Sequence, residues 1–247
     1  MDITTESDTP AGADGSPGHA HGVEFLSAVQ LSDSFFPTGL YTLSHGLEAF
    51  LQAGLISKAD VEALLQDYLE NVLGPADCVA LSHAHRAAAG RDLARLLEID
   101  RRLFAMKLVR EAREASRRVG RRILTTAVQL NPDSLLADYR AAVDSGTCPG
   151  NAAVALGATA AALGIARQEA MLIELYTFST SLLGAAMRLI RLDHEEVQRI
   201  LARLKPVMVR VVQENLGRGL QEMRAFAPLI DIMGMVHERA PIRLFIS

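Results

Sequence analysis

Apolar residues recur at helical spacing along most of the chain. The clearest run shows the i, i+3, i+4, i+7 stripe of an amphipathic helix and comprises Val61, Leu64, Leu65, Tyr68, Leu69 and Val72. Ser57 precedes the stripe as a candidate N-cap, and Gly74-Pro75 follows it as a predicted stop. The pattern therefore predicts a helix that ends before Gly74.

Residues 77 to about 90 and 91 to about 130 also have helical composition, the second run with a bend near Gly120. Asn131-Pro132 fits an N-cap followed by proline at the first helical position, which predicts another helix to about residue 143. Residues 145–150 contain two glycines and a proline and are predicted to form a loop.

Residues 151–166 are rich in alanine, with Gly157 and Gly164 seven positions apart, so a neighbouring helix can approach closely and this segment is expected at the centre of the fold. An apolar helix is predicted over 168–192, followed by a helix opened by Asp193 and Glu196 as a capping box and kinked or restarted at Pro206. No β-type alternation is visible. The chain is predicted to be all-α, a single-domain bundle of roughly eight to ten helices over residues 23–247.

Charge separates a tail from this body. The net charge is -4, and Asp2, Glu6, Asp8 and Asp14 account for it because residues 1–22 contain no Lys or Arg. We expect 1–22 to be a disordered acidic tail. The neutral body lacks the positive field that neutralises phosphates, which argues against nucleic acid as a partner.

The apolar segments favour a buried core over a membrane span. Residues 152–166 are too short to cross a bilayer, and residues 171–190 carry Glu174 and Arg188. The chain has two cysteines, no CxxC pair and no basic-then-apolar leader. We expect a cytoplasmic protein that does not associate with membranes.

The motifs of common enzymes are absent from the sequence. No glycine is followed by lysine, so there is no P-loop, and HExxH and GxSxG are missing. The best metal candidate is the group Asp77, Cys78, His83 and His85, but His83 would lie about 200° around a helix from His85. We therefore predict no catalytic residue, no metal site and no cofactor.

Two charged or apolar stretches are candidate binding surfaces. The central run is rich in arginine and has as its candidates Arg110, Glu111, Arg113, Arg117 and Arg121; it is either a solvated salt-bridged face or an interface for an acidic protein. Near the C-terminus, Arg239 and Arg243 lie beside an apolar tip, Leu244-Phe245-Ile246. This tip either docks on its own bundle or anchors a partner, as arginine with apolar anchors does in binding hot spots.

The opening residues form a further motif. Pro37 and Gly39 predict a turn, and Ser44 is a candidate cap for the helix that carries Leu47 and Glu48. Stability and a dimer or partner surface are both open as the role of these residues.

Four stretches together resemble the UreF family of urease accessory proteins over residues 25–247. They are QLSDSFFPTG (30–39) with SHGLE (44–48), the Arg-Glu run from 110 to 121, AAMRL (185–189), and the C-terminal pairs DI (231–232) and HE (237–238) followed by RLFIS (243–247). Each stretch alone is a weak signal, but their order and spacing make chance agreement improbable.

The resemblance implies a homodimer that assembles with UreD, called UreH in some systems, and with the GTPase UreG to deliver nickel to apo-urease. It implies a partner-binding segment over 223–247 that includes Asp231, His237, Glu238, Arg239, Arg243, Leu244 and Phe245. It also implies a dimer or structural role for Pro37, Gly39, Ser44, Gly46, Leu47 and Glu48, and a structural role for Arg188. The rival interpretations are a helical-bundle enzyme or ligand-binding protein with a core pocket, and a helical transcription regulator.

Overall fold

The fold was obtained as a computed structural model, which describes residues 17–240 and 243–245, with side chains from residue 21 onward. All regular secondary structure in these residues is helical and none is strand, which confirms the predicted all-α single-domain bundle. When the continuous helical stretch 61–89 is counted as one helix, there are ten α-helices in the described part of the chain.

In chain order the α-helices are α1 Pro17–Ser32, α2 Leu47–Gln52, α3 Val61–Asp67, α4 Val79–Ala89, α5 Leu93–Met106, α6 Arg110–Leu130, α7 Ser134–Asp144, α8 Ala152–Ala162, α9 Arg167–Ile190, α10 His194–Asn215 and α11 Pro228–Glu238. A π-helix, Tyr68–Cys78, joins α3 to α4. Residues 17–22 were predicted to belong to the disordered tail, but in the structure they belong to helix α1. Pro17 is the first residue of this helix, a position that suits proline. Residues 1–16 of that tail lie outside the described residues.

Helix α8 lies at the centre of the bundle, as its alanine content predicts. Its residues Ala153 to Ala160 are all buried, and it packs against both α4 and α6. A Cβ atom on Gly157 would lie 2.6 Å from the carbonyl oxygen of Leu81 in α4, so only glycine permits this approach. Gly164, in contrast, lies beyond the end of α8 with a left-handed φ of 73°.

The predicted stop at Gly74-Pro75 is wrong, because the chain continues through it as the π-helix. Pro75 has no N–H for the carbonyl of Asn71, four residues earlier. That carbonyl accepts a hydrogen bond from the N–H of Phe226 at 3.1 Å, and the Pro75 carbonyl accepts one from Arg224 at 3.1 Å. The C-terminal part of the chain thus supplies the donors that the helix lacks.

The predicted single helix over 91–130 is two helices, α5 and α6, and it is not interrupted at Gly120. The break falls at residues 107–109. Arg113 stabilises it because its guanidinium donates to the carbonyls of Lys107 and Leu108, at 2.7 and 3.0 Å. These carbonyls follow the last turn of α5 and have no partner in that helix.

The N-cap of α7 is Asp133, not Asn131 as predicted. The Asp133 carboxylate accepts from the N–H of Leu136 at 3.0 Å, whereas the Asn131 side chain donates to the carbonyl of Ala162 at the end of α8. The predicted loop over 145–150 is confirmed, and α9 and α10 match their predicted positions. Asp193 caps α10, accepting from Glu196 N–H at 2.7 Å, and α10 passes Pro206 without ending.

Helix α9 is the one described helix that is long and apolar enough to cross a membrane. Of the 18 consecutive residues that make up its most apolar stretch, 56% are buried inside the bundle. The helix packs there against α1, α8 and α10.

Candidate partner-binding site around the C-terminal segment

Four side chains that are far apart in the sequence meet where α2, α6 and α11 converge. We call Glu48, Glu111, His237 and Arg243 the anchoring cluster. The His237 ring lies between two carboxylates, with Nε2 at 3.2 Å from Glu48 Oε2 and Nδ1 at 2.6 Å from Glu111 Oε2. Arg243 donates to Glu111 Oε1 at 2.5 Å. One residue of the opening motif (Glu48), one of the central run (Glu111) and two of the C-terminal motif (His237 and Arg243) therefore meet in one cluster.

Glu48 holds the end of the chain directly. It is 3% exposed, and its carboxylate accepts hydrogen bonds from the N–H groups of Leu244 at 2.9 Å and Phe245 at 3.2 Å. A buried carboxylate is stable only when such donors surround it. The end of the chain thus supplies donors that this carboxylate needs.

The start of α2 differs from the prediction that Ser44 caps it. The N-cap is Gly46, with no side-chain cap, and its φ of 79° is a left-handed conformation that glycine adopts without strain. A Cβ atom at Gly46 would also lie 3.8 Å from the backbone of Gly234 in α11. Ser44 and Leu47 are both fully buried. Glycine is thus favoured here by the left-handed backbone, and a Cβ atom would make only ordinary van der Waals contact with α11.

Helix α11 also completes the start of α6. The N-cap of α6, Val109, offers no side-chain acceptor, and Glu238 takes that role by accepting from the N–H of Glu111 at 3.1 Å. Arg110 lies 3.6 Å from the other oxygen of Glu238. A carboxylate at a helix N-terminus is favoured by the helix dipole. The contact is a cap supplied by another helix.

The C-terminal tip (residues 243–245) is divided between core and surface. Phe245 is 7% exposed and lies under the guanidinium of Arg188, 4.4 Å from the ring centroid. Arg188 also stacks on Tyr41 at 3.9 Å and donates to the Tyr41 carbonyl at 2.6 Å. Leu244 points outward and is 77% exposed. Phe245 therefore packs on the bundle, whereas the Leu244 side chain is exposed; Ile246 lies outside the described residues.

The remaining predicted residues of this segment lie at its edges. Asp231, in the first turn of α11, faces a cavity under the helix, and burial raises the pKa of its carboxyl. Arg239 follows the end of α11 and is exposed. Asp231 thus belongs to the inner side of the helix and Arg239 to its surface.

The sequence analysis missed an apolar surface on α11. Ile230, Met233 and His237 face inward. The opposite side, which we call the outer face, carries four side chains that are 42–52% exposed, namely Leu229, Ile232, Met235 and Val236. Leu229, Ile232 and Val236 follow the i, i+3, i+7 spacing of one helix face, which the sequence contains. Because nearly all residues of α11 are apolar, this spacing cannot be told apart in the sequence from that of the inward-facing residues.

The central arginines pair mainly with other elements and not with their own helix. Arg117 pairs with Glu114 in the same helix at 3.2 Å, but Arg121 pairs with Asp144 in α7 at 3.7 Å. Arg118 is exposed. The run thus ties α6 to its neighbours and leaves part of its charge on the surface.

The opening turn lies apart from the anchoring cluster. Pro37 is exposed, and Gly39 has a left-handed φ of 79° with the Arg122 guanidinium 3.4 Å from where a Cβ atom would be. The metal candidates are also separated: Asp77 pairs with Lys107, whereas His83 and His85 bond to carbonyls of Arg218 and Ile165. In residues 17–240 and 243–245 no group of three or more His, Cys, Asp or Glu side chains is arranged to hold a metal ion.

Comparison with known proteins gives consistent matches. The family model UreF matches residues 55–205. The chain is 36% identical over 223 residues to a protein of Trichodesmium erythraeum named urease accessory protein UreF, covering 90% of this chain and 96% of that one. It is 33% identical to urease accessory protein UreF 1 of Brucella melitensis and 30% identical to the UreF protein of Photorhabdus laumondii, covering 90% of this chain in both cases and 92% and 98% of theirs.

Proposed function

Because the chain belongs to the UreF family of urease accessory proteins, we propose that it acts in urease maturation as a non-enzymatic adaptor. In this proposal it binds UreD (UreH) and recruits the GTPase UreG, which delivers nickel to apo-urease. The observation that carries the proposal is the surface formed by the outer face of α11 together with Leu244, Arg239 and Arg243.

This surface has the composition of a protein-binding site. Four half-exposed apolar side chains lie on one side of α11, and Phe226 and Leu244, which precede and follow this helix in the chain, are 76% and 77% exposed. Arg239 and Arg243 also follow α11 in the chain. Apolar anchors beside arginine are the usual content of binding hot spots, and contiguous apolar patches on a surface mark sites of association.

The anchoring cluster gives this surface a fixed shape. Glu48 and Glu111 hold both α11 and the tip by hydrogen bonds at 2.5–3.2 Å, so a partner meets an ordered surface and loses little entropy in ordering it. The chain has no P-loop, and in this proposal it influences GTP hydrolysis by positioning or completing the site of UreG.

Pull-down of UreD and UreG by the tagged chain tests the surface. Ile232→Glu places a charge at the centre of the outer face, and we expect it to reduce UreD recovery at least tenfold without unfolding the chain. Arg243→Ala is expected to leave folding intact and to weaken recruitment of UreG. Unchanged partner yields with both variants would refute the assignment.

Leu130→Glu is the matched control. Leu130 is 56% exposed and ends α6, whereas the anchoring cluster lies at the start of that helix, at Glu111. Nineteen residues of helix separate them by about 28 Å. We expect this variant to bind both partners as the native chain does.

Two further parts of the proposal concern assembly and place. We propose a homodimer, which the resemblance implies, and a place in the cytoplasm, which the two cysteines without a CxxC pair favour. Analytical ultracentrifugation at micromolar concentration tests the first, and a species at the mass of one chain alone would contradict it.

A further inference from the structure

A cavity of about 180 Å³ lies beneath α11, separate from the outer face. Its walls come from α5, α6, α9, α11 and the π-helix and are mainly apolar, including Leu103, Met106, Val119 and Ile230. Among the ionisable side chains of this lining, Asp77, Lys107 and Glu174 interact electrostatically with one another. Ionisable groups in such surroundings are unusual unless they are paired.

When Glu174 is ionised, the three groups are one positive charge short. Lys107 pairs with Asp77 Oδ1 at 2.7 Å, and Asp77 is 3% exposed with its Oδ2 lacking any hydrogen-bond partner in the described structure. Lys107 supplies the only ammonium among the described lining residues, and it is paired with Asp77. Burial, and secondly the charge of Asp77, raise the pKa of Glu174 to about 8, and Lys107 offsets this only in part.

Aromatic rings line the same cavity. The rings of Tyr68 and Phe178 have centroids 5.1 Å apart, and the His45 ring lies 4.3 Å from Phe178. Burial, and then the charge of Lys107, lower the pKa of His45 to about 3, so its imidazole is neutral and supplies no cation. Carboxylates with aromatic faces are the groups that recognise ammonium ligands.

The other titratable groups of the lining are engaged elsewhere or lie at the rim. Glu111 and His237 bond to each other within the anchoring cluster, and Asp231 lies at the start of α11, partly exposed. None of them forms a recorded hydrogen bond or ion pair with Glu174 in the described part of the chain.

We propose that this cavity binds a small primary ammonium compound with an apolar body, whose ammonium group pairs with Glu174 and lies against the rings of Tyr68 and Phe178. The apolar walls take the body of the ligand, and its volume limits it to roughly ten non-hydrogen atoms. An inorganic cation does not fit this site, because the apolar walls and Lys107 stand where its further oxygen ligands are required.

Binding is linked to proton release. The ammonium pairs with ionised Glu174, so the carboxyl proton passes to the buffer when the ligand enters. With a pKa of about 8, the ionised fraction of Glu174 rises roughly 20-fold between pH 6.5 and pH 8.5, and affinity is expected to rise by about the same factor.

Titration calorimetry of the full chain with benzylammonium chloride tests the proposal. We expect saturable binding at pH 8.5 that is about 20-fold weaker at pH 6.5, with close to one proton released per ligand at pH 7 in buffers of different ionisation enthalpy. Benzyl alcohol, the neutral analogue, is expected to bind at least tenfold more weakly at pH 8.5 and without pH dependence.

Two variants identify the site. Glu174→Gln keeps the shape of the side chain and is expected to weaken benzylammonium binding at least tenfold and to abolish its pH dependence, whereas Glu169→Gln, on the exposed first turn of the same helix, is the matched control. Ala115→Leu fills the cavity without changing a charge and is also expected to abolish binding; circular dichroism verifies its fold. Equal affinity at both pH values, or in Glu174→Gln, overturns the proposal, as does the absence of binding to the folded native chain.

Discussion

Replacement of Glu48 by alanine is the most direct perturbation of the anchoring cluster. Its carboxylate accepts from the N–H groups of Leu244 and Phe245 and from the His237 ring, at 2.9, 3.2 and 3.2 Å. Without it, the buried Phe245 N–H and His237 ring and the part-buried Leu244 N–H lose this partner, as does the Gln52 amide, which donates to Glu48 at 3.3 Å. Each such loss costs about 1–3 kcal/mol when the donor stays buried.

When the C-terminal tip undocks from the bundle, its donors are no longer buried, and the free-energy cost of losing the Glu48 carboxylate is smaller. Residues 243–245 are held by these bonds, by the Arg243–Glu111 pair and by burial of the Phe245 ring, which contributes about 1.5–3 kcal/mol. Once the tip leaves, its N–H groups are hydrated, so the global fold is spared. We expect Glu48→Ala to weaken docking by about 2–4 kcal/mol, which is roughly 30- to 700-fold in the docked-to-undocked ratio.

Amide hydrogen exchange measures this ratio. Protection of the Leu244 and Phe245 amides is expected to fall by the factor above, while core amides of α8 keep their protection. Glu62→Ala is the control, since Glu62 is a surface carboxylate paired with Arg203 at 2.7 Å. A change of less than threefold at both tip amides in Glu48→Ala would refute the view that Glu48 holds the C-terminus.

Three further outcomes follow from the packing and the cavity. Arg188→Ala removes the cation–π contact with Phe245 and is expected to weaken tip docking by about 1–2 kcal/mol, less than Glu48→Ala, in the same exchange experiment. Gly157→Ala places a Cβ atom 2.6 Å from a carbonyl oxygen of α4 and is expected to destabilise the fold by about 1–3 kcal/mol in urea unfolding. In Gly184→Ala the added Cβ atom meets no atom within 4 Å, and this variant is expected to stabilise the fold by up to about 1 kcal/mol. The pKa of Glu174 is raised from 4.5 to about 8, so the stability that its neutral form gives the native chain is present below pH 4.5 and is lost as pH rises to 8. Glu174→Gln is therefore expected to be more stable than the native chain by about 2–3 kcal/mol at pH 7. An equal pH dependence of the stability of the two proteins would contradict this.

Local pattern was sufficient to predict most helices but not their interruptions. The stripe beginning at Val61 and the alanine-rich α8 are set by side chains within each segment. The passage through Pro75 is not, because the donors for the freed carbonyls come from residues 224 and 226. The break at 107–109 contains no glycine or proline, and the side chain that satisfies its carbonyls, Arg113, lies in the next helix.

The candidate site shows the same division. Glu48 and His237, which the resemblance singled out, meet in the anchoring cluster although they are 189 positions apart in the chain. No helical spacing links them, and only the packed fold brings the two carboxylates to the imidazole. The outer face of α11 remained hidden for a different reason, since apolar residues occupy nearly every position around that helix and conceal which side is exposed.

The central claim is that this chain assists urease maturation by contact with other proteins. Its most direct test is the nickel content of urease purified from cells that express the urease structural and accessory genes with the native chain, with Ile232→Glu, or without the chain. We expect full metallation with the native protein and a severe loss in the other two cases. Urease that acquires its normal complement of nickel at the normal rate in cells lacking the chain would contradict the account.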